Sequence, residues 1–153
     1  MTEHQMGSIF DVKTDPIKFL IVDDDQVTVM AIKRALRKLK IINPVVVACD
    51  GQEALDMMRG ECEGDKLLPP YLVTLDLNMP RMDGFEFLEE VRNDPSLQRA
   101  VIFVLSTSDA PKDVAAAYSS NIAGYIVKDD LGDSFIRALN MIDTYTKVVE
   151  LPH

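Results

Sequence analysis

The sequence predicts an α/β fold: a doubly wound, five-stranded parallel sheet covered by five helices. Two observations carry this. Five short runs, at 18–22, 44–49, 71–75, 101–105 and 124–127, are rich in Val, Ile, Leu or aromatic residues and nearly continuous in their apolarity. Strands buried on both faces read this way, as they do in a parallel sheet sandwiched by helices. Each run is followed by a stretch with helical character, so the order is strand then helix, five times over. Right-handed crossovers complete the doubly wound arrangement and put any site at the carboxyl ends of the strands.

The elements follow in order. The strand at 18–22 runs into Asp23-Asp24-Asp25, and a helix over 26–40 carries Val29, Ile32, Leu36 and Leu39 at spacings of three and four. The strand at 44–49 leads through Asp50, a residue type that caps helices, into a helix over 51–59. A loop at 60–70, with Gly64 and Pro69-Pro70, precedes the strand at 71–75. The helix over 84–93 carries Phe85, Leu88 and Val91, and the helix over 111–120 opens with Pro at a favoured first-turn position. The last helix, 132–147, carries Phe135, Leu139, Ile142 and Tyr145. Residues 1–15 are expected to form a tail, 16–149 one domain, and 150–153 a short C-terminal tail, with no separate output domain.

Composition narrows the chemistry. The 153 residues are 47% hydrophobic and 27% charged, which suits a single globular core. A formal net charge of −9 repels nucleic-acid phosphates. No membrane span or signal peptide is legible, and the two cysteines, Cys49 and Cys62, read as free thiols of a cytoplasmic protein. The two histidines, His4 and His153, lie near the chain ends. That excludes a core His as catalyst or metal ligand, and leaves a metal to oxygen donors: Mg²⁺, Mn²⁺ or Ca²⁺.

The candidate site is acidic. The first strand ends in Asp23-Asp24-Asp25 and the third in Asp76-Leu77-Asn78-Met79-Pro80. In a doubly wound sheet these strands are neighbours, so Asp23, Asp24 and Asp76 meet in one crevice. Carboxylates that close repel unless a hard cation joins them; Asp25 also fits a plain helix cap. The fourth strand runs into Ser106-Thr107-Ser108 and the fifth into Lys128. Each alone reads as a turn or surface residue, but both fall on the acidic edge, where Lys and a hydroxyl can engage phosphoryl oxygens.

These residues resemble the response-regulator receiver domains of two-component signalling. The resemblance rests on Asp23-Asp24, Asp76 within Leu75–Pro80 followed by Asp83-Gly84, Ser106, and Tyr125 and Lys128 in Gly124-Tyr-Ile-Val-Lys128, all in family order. It covers roughly 18–147. The runs at 75–80 and 105–108 are also similar to stand-alone regulators that serve phytochrome-type kinases. The resemblance implies a flavodoxin-like sheet of order 2-1-3-4-5. It implies that Asp76 accepts a phosphoryl group from a histidine kinase. It assigns Mg²⁺ to Asp23, Asp24, Asp76 and the Asn78 backbone carbonyl. Lys128 then pairs with the phosphoryl group, Ser106 follows it, and Tyr125 acts as the output switch. Asn78, Thr107 and Ser108 are placed on the access path that sets acyl-phosphate lifetime. The implied partners are a sensor histidine kinase, and a downstream target or a histidine phosphotransfer protein; a second copy of the chain is a further candidate. Tyr118, Ile122 and Tyr145 lie beside Tyr125 as candidate contacts.

Two departures stand out. Asp129 follows Lys128 where the family usually carries Pro, so the loop before the last helix is expected to differ. Thr107 is larger than the Ala or Gly common there and is expected to narrow access. Two competing readings fit the residues less well. A haloacid-dehalogenase-type phosphatase wants an acid/base Asp two residues after its nucleophile, where this chain has Asn78, and no cap domain fits. A degenerate receiver would lack phosphorylation residues that are all present here. The expectation is a signalling domain, not an enzyme with turnover, that switches a target or relays the group onward.

Overall fold

The computed structural model describes residues 16–61, 64, 66–128 and 132–152. Five strands, β1 (Lys18–Val22), β2 (Val45–Ala48), β3 (Tyr71–Leu75), β4 (Val101–Ser106) and β5 (Gly124–Val127), alternate with five helices. The helices are α1 (Gln26–Lys38), α2 (Gly51–Arg59), α3 (Gly84–Asn93), α4 (Pro111–Ser119) and α5 (Asp133–Val148). The strands form one sheet of order β2-β1-β3-β4-β5, and every pairing is parallel. This is the doubly wound arrangement expected.

Alternate strand residues feed two cores. Leu20, Val22, Val73, Leu75 and Val104 pack with Leu55, Phe87, Leu88 and Ala117 of α2, α3 and α4. Phe19, Ile21, Leu72, Phe103 and Leu105 pack with Ile32 and Leu36 of α1 and Leu139 and Ile142 of α5. Both faces are therefore apolar, which is why the strands read as continuous runs rather than alternating ones.

Local chemistry sets the boundaries. Helix α1 stops two residues earlier than its apolar spacing suggests, because Leu39 caps it and Lys40 turns to φ +58°. Helix α2 ends at Gly60 in the left-handed region, where a side chain would also crowd Lys66. The expected C-terminal tail is in part core: Leu151 is 5% exposed and packs with the α1 and α5 cluster. Residues 1–15, Cys62, Asp129, Asp130 and His153 lie outside the described residues, so the tail at 1–15 and the substitution of Asp129 for Pro are not addressed by the fold.

Arg92 ties the sheet's amino-terminal end together. Its guanidinium donates to the carbonyls of Ser120 (2.7 Å), Gln98 (2.7 Å), Ala100 (2.9 Å) and Asn121 (3.1 Å). One side chain thus joins the end of α3 to the approaches to β4 and β5.

Among the described residues, one buried side-chain group is left without a partner. Thr74, the fourth of the five β3 residues, is 5% exposed and its hydroxyl makes no hydrogen bond. It faces a small void lined by Phe19, Ile21, Ile32, Leu36, Leu139 and Ile142, which offer no polar atom. A buried, unpaired hydroxyl costs about 1–3 kcal/mol. Thr74→Val keeps the shape and removes the hydroxyl. It is expected to raise the unfolding free energy by about 1 kcal/mol, read as a higher urea midpoint with unchanged slope.

Candidate functional site

The parallel ladder extends just past the strand ends and brings the polar residues to one edge. Asp23 N–H donates to the Ala48 carbonyl (3.1 Å) and Asp76 N–H to the Val22 carbonyl (2.9 Å). Lys128 N–H donates to the Ser106 carbonyl (2.7 Å). Register thus fixes the backbones of Asp23, Asp76, Ser106 and Lys128 at neighbouring strand ends.

Carboxylate oxygens of Asp23, Asp24 and Asp76 all lie within 4.8 Å of one another. Asp23 and Asp76 are buried and Asp24 is exposed. Asp23 is held by the Asp25 N–H, which donates to its Oδ1 at 2.8 Å, and its Oδ2 lies 3.6 Å from Lys128 Nζ. Burial is the main force on both inner carboxyls. It pushes Asp23 above the usual range, against the Asp25 N–H and Lys128. It pushes Asp76 up to about 6, with the Asp23 charge adding to the effect and Lys128 opposing it. Three hard oxygen donors this close, two of them desolvated, fit a small divalent cation.

Asp25 is a cap and no member of the cluster. It accepts from Val27 N–H (3.1 Å) and from the Thr28 hydroxyl (2.8 Å), and the Thr28 bond is the main cause holding its carboxyl below the usual range. After Asp76 the chain turns sharply into α3. Asn78 is exposed, and its N–H points back at Asp76 Oδ1 (3.4 Å). Gly84 is required here: a Cβ would lie 2.7 Å from Leu77 Cα and 2.8 Å from the Asp76 carbonyl. The Asp83-Gly84 pair therefore presses the α3 N-terminus onto the Asp76 backbone, and Asp83 caps the helix through Glu86 N–H (2.9 Å).

Ser106 is fully buried, and its Oγ accepts from Ser108 N–H at 3.2 Å. Thr107 is exposed beside it. The Tyr125 hydroxyl donates to the Ser108 carbonyl at 2.8 Å, and the Tyr118 hydroxyl accepts from Tyr125 N–H at 3.2 Å. Of the three expected contacts near Tyr125, Tyr118 is 49% exposed, whereas Ile122 is core. Tyr145 packs edge-on against Phe103, with ring centroids 5.1 Å apart.

Sequence reasoning missed two features around this site. Arg81, at φ +64°, binds the buried Asp50, which caps α2 through Glu53 N–H (2.8 Å). Burial pushes the Asp50 carboxyl up, but the Glu53 N–H and Arg81 outweigh it and hold it low. This pair braces the loop after Asp76 against the end of β2. Nothing in the residue pattern announces it, since Arg81 sits in a loop with a backbone unusual for its type. The second is the Ser108 side chain, which donates to Asp113 at 2.5 Å. Its sequence signal is weak: Ala110, at the N-cap of α4, has no side-chain acceptor.

A doubly wound sheet with an acidic triad, a Lys and a buried hydroxyl at its carboxyl edge carries the donors that suit a divalent cation and an anionic group side by side. Comparison with known proteins gives the family. Residues 19–140 match the response regulator receiver domain, and the chain belongs to that family. It is 32% identical to the probable methanogenesis regulatory protein FilR2 of Methanothrix harundinacea over 91% of this chain and 88% of that one. It is 29% identical to the response regulator Rcp1 of Synechocystis over 93% and 97% of the two chains. Among solved structures it is similar to the phosphorylated cyanobacterial phytochrome response regulator RcpA: TM-score 0.82, 32% identity, 91% and 100% coverage. It is also similar to the Mn²⁺-bound form of Rcp1: TM-score 0.81, 28% identity, 90% and 100% coverage. Among the described residues no helix is long and apolar enough to cross a membrane.

The raised Asp76 carboxyl has a sign that can be measured. Between about pH 4 and pH 6 the folded chain holds a proton on Asp76 that the unfolded chain has released, so stability falls as pH rises through that window. Above it the full penalty remains. In EDTA at pH 7.5, Asp76→Asn is expected to be more stable than wild type by on the order of 1–2 kcal/mol in urea unfolding. Saturating Mg²⁺ is expected to shrink the difference, because the intact cluster binds the cation more tightly. Equal stability in EDTA would show that the cluster carries no strain.

Proposed function

We propose that the chain accepts a phosphoryl group on Asp76 from the phosphohistidine of a sensor histidine kinase and signals by a phosphorylation-dependent change of its surface. The observation that carries this reading is the desolvated Asp76 carboxylate within 4.8 Å of Asp23 and Asp24, with Lys128 at the same edge. A phosphorylated relative, RcpA, and an Mn²⁺-bound one, Rcp1, support it.

The chemistry is a displacement at phosphorus. An Asp76 carboxylate oxygen attacks, a P–O bond forms, and the P–N bond to the donor imidazole breaks, the electron pair leaving with the imidazole. Asp23, Asp24 and Asp76, with the Asn78 carbonyl, would hold Mg²⁺, which supplies neutralisation of the charge that otherwise keeps a carboxylate and a phosphoryl group apart. Lys128, now engaged with Asp23 at 3.6 Å, provides a second positive charge for a phosphoryl oxygen. Ser106 offers a hydroxyl whose bond to the phosphoryl group exists only in the phosphorylated state, which is what biases a two-state equilibrium. The domain catalyses only its own phosphorylation and dephosphorylation. Onward transfer to a histidine phosphotransfer protein is the second reading within this function. The exposed free thiol of Cys49 fits a reducing cytoplasm.

Small-molecule phosphodonor or phosphorylated kinase is expected to label the chain once, at Asp76, and only with Mg²⁺ present; mass spectrometry after reductive trapping locates the site. Asp76→Asn keeps the size and loses the nucleophile, and labelling at wild-type level in that variant would overturn the assignment.

An Mg²⁺–beryllofluoride complex, mimicking the acyl phosphate, is expected to change self-association or partner affinity, measured by sedimentation and pull-down. Tyr125→Ala is expected to remove that change while leaving Asp76 labelling intact. No response to the mimic in any of these measurements would favour the relay over the switch.

A further inference from the structure

Between Asp76 and α3 the chain is tied down at almost every second residue. Leu77 and Met79 are buried in the core, while Asn78 and Pro80 are exposed. Arg81 then reaches away from its own strand. From a left-handed backbone, φ +64°, its Nε donates to Asp50 Oδ2 at 2.9 Å and its Nη2 donates to the same oxygen. Met82 meets the next residue, Gly51: a Cβ there would lie 2.9 Å from Met82 Cγ and 3.2 Å from the Met82 carbonyl oxygen. Two consecutive loop residues are thus seated on the two residues that open α2.

Neutralising a buried carboxylate would account for Arg81 alone. It does not account for Met82 on Gly51. Nor does it account for a left-handed arginine, a conformation that persists only where the surroundings hold it. Topology supplies the missing reason. The loop leaves β3, and Asp50 follows β2; β1, with Asp23 and Asp24 after it, runs between those two strands. The seat therefore joins the strand ends on either side of Asp23-Asp24. It begins three residues after Asn78. Asn78 itself is exposed and is held at the site by a long N–H contact to Asp76 Oδ1, 3.4 Å.

We propose that Arg81 and Asp50, with Met82 on Gly51, are positioning residues for the divalent cation: they set where the Asn78 carbonyl lies relative to Asp23, Asp24 and Asp76. The proposal rests on the reading of that carbonyl as a ligand. Edge strand β2 supplies no ligand, yet through this seat it governs how tightly the cation is held. For Arg81, charge and position have opposite signs. Removing a positive charge beside an acidic cluster strengthens cation binding by Coulomb's law. Removing the seat weakens it.

The test is an NMR titration of the isotope-labelled whole chain with MgCl₂, with Kd taken from the amide shifts. In wild type the Asn78 amide is expected to be among those that move. Arg81→Gly accepts the left-handed backbone without strain and has no side chain to reach Asp50. It is expected to raise the Mg²⁺ Kd by about tenfold, a usual cost of losing a partner that orients a ligand. Asp50→Asn keeps an acceptor for Glu53 N–H but offers Arg81 no carboxylate, and is expected to weaken binding to a similar extent. The double variant is expected to match either single one, as members of one coupled pair do. Met82→Ala changes no charge and is expected to move Kd in the same direction by less. Arg81→Lys, which keeps the charge and the reach, is expected to retain most of the affinity. If Arg81→Gly, folded by its amide spectrum, binds Mg²⁺ as tightly as wild type or more tightly, the pair is only a brace for α2. The positioning role is then wrong, while the cation reading stands on the wild-type titration. If Arg81→Gly does not fold, wild-type affinity in both Asp50→Asn and Met82→Ala overturns the proposal in the same way. If wild type binds no Mg²⁺, or if Asp24→Asn and Asp76→Asn bind it as wild type does, the cation reading falls and takes the positioning role with it.

Discussion

Mutual repulsion among three carboxylates at the carboxyl end of the sheet is the constraint around which the rest is arranged. Asp23 and Asp76 are buried beside each other, and burial is the main cause that lifts both carboxyls above their ordinary range, with neighbouring carboxylates adding to it. Such a cluster is tolerable only if the scaffold under it is stiff and if compensating charge is near. The scaffold is the parallel ladder, with β1 and β3 adjacent at the centre of the sheet and apolar packing on both faces. The compensating charge is Lys128 at the end of β5, with room in the chemistry for a divalent cation. A site that is electrostatically uncomfortable at rest is one that gains from binding positive charge, which is the condition for a Mg²⁺-dependent acceptor.

The surroundings divide into a braced half and a hydrogen-bonded half. Around Asp76 the chain is braced: Gly84 lets α3 press onto the Asp76 backbone, and Arg81 ties the intervening loop to Asp50. Around Ser106 the contacts are hydrogen bonds between single residues, from Ser106 through Ser108 to Tyr125 and Asp113. Packing holds the chemistry in place, whereas directional bonds that can be exchanged connect it to the surface.

The fold was legible because a parallel sheet writes its burial into the sequence: runs such as Lys18–Val22 and Val101–Ser106 are apolar on both faces. The site was legible because topology brings strand ends together, so residues 53 positions apart, Asp23 and Asp76, could be placed side by side from their position after two strands. What escaped was set by geometry that residue type does not encode. Arg81 reaches Asp50 from a left-handed backbone that Arg rarely adopts. Tyr118 and Ile122 lie four residues apart, one in the last turn of α4 and one just past it, and the exposed one is Tyr118 while Ile122 is core. Leu151 belongs to the core although it follows the last helix. Each depends on where a side chain lands after the chain has turned.

The Arg92 tie gives the hydrogen-bonded half a mechanical character. Helix α4 buries only Ala117 among its own residues, so packing grips it lightly. Its C-terminal end is pinned, because Arg92 holds the carbonyls of Ser120 and Asn121 together with those of Gln98 and Ala100. A lightly packed rod pinned at its C-terminal end has a fulcrum there, and its other end hangs on the single Ser108–Asp113 hydrogen bond. Nine residues of helix give a lever arm of about 13 Å. A tilt of about 10° about the Arg92 fulcrum would then carry the Pro111 end by roughly 2 Å on that arm length. The guanidinium also keeps the helix from sliding along its own axis.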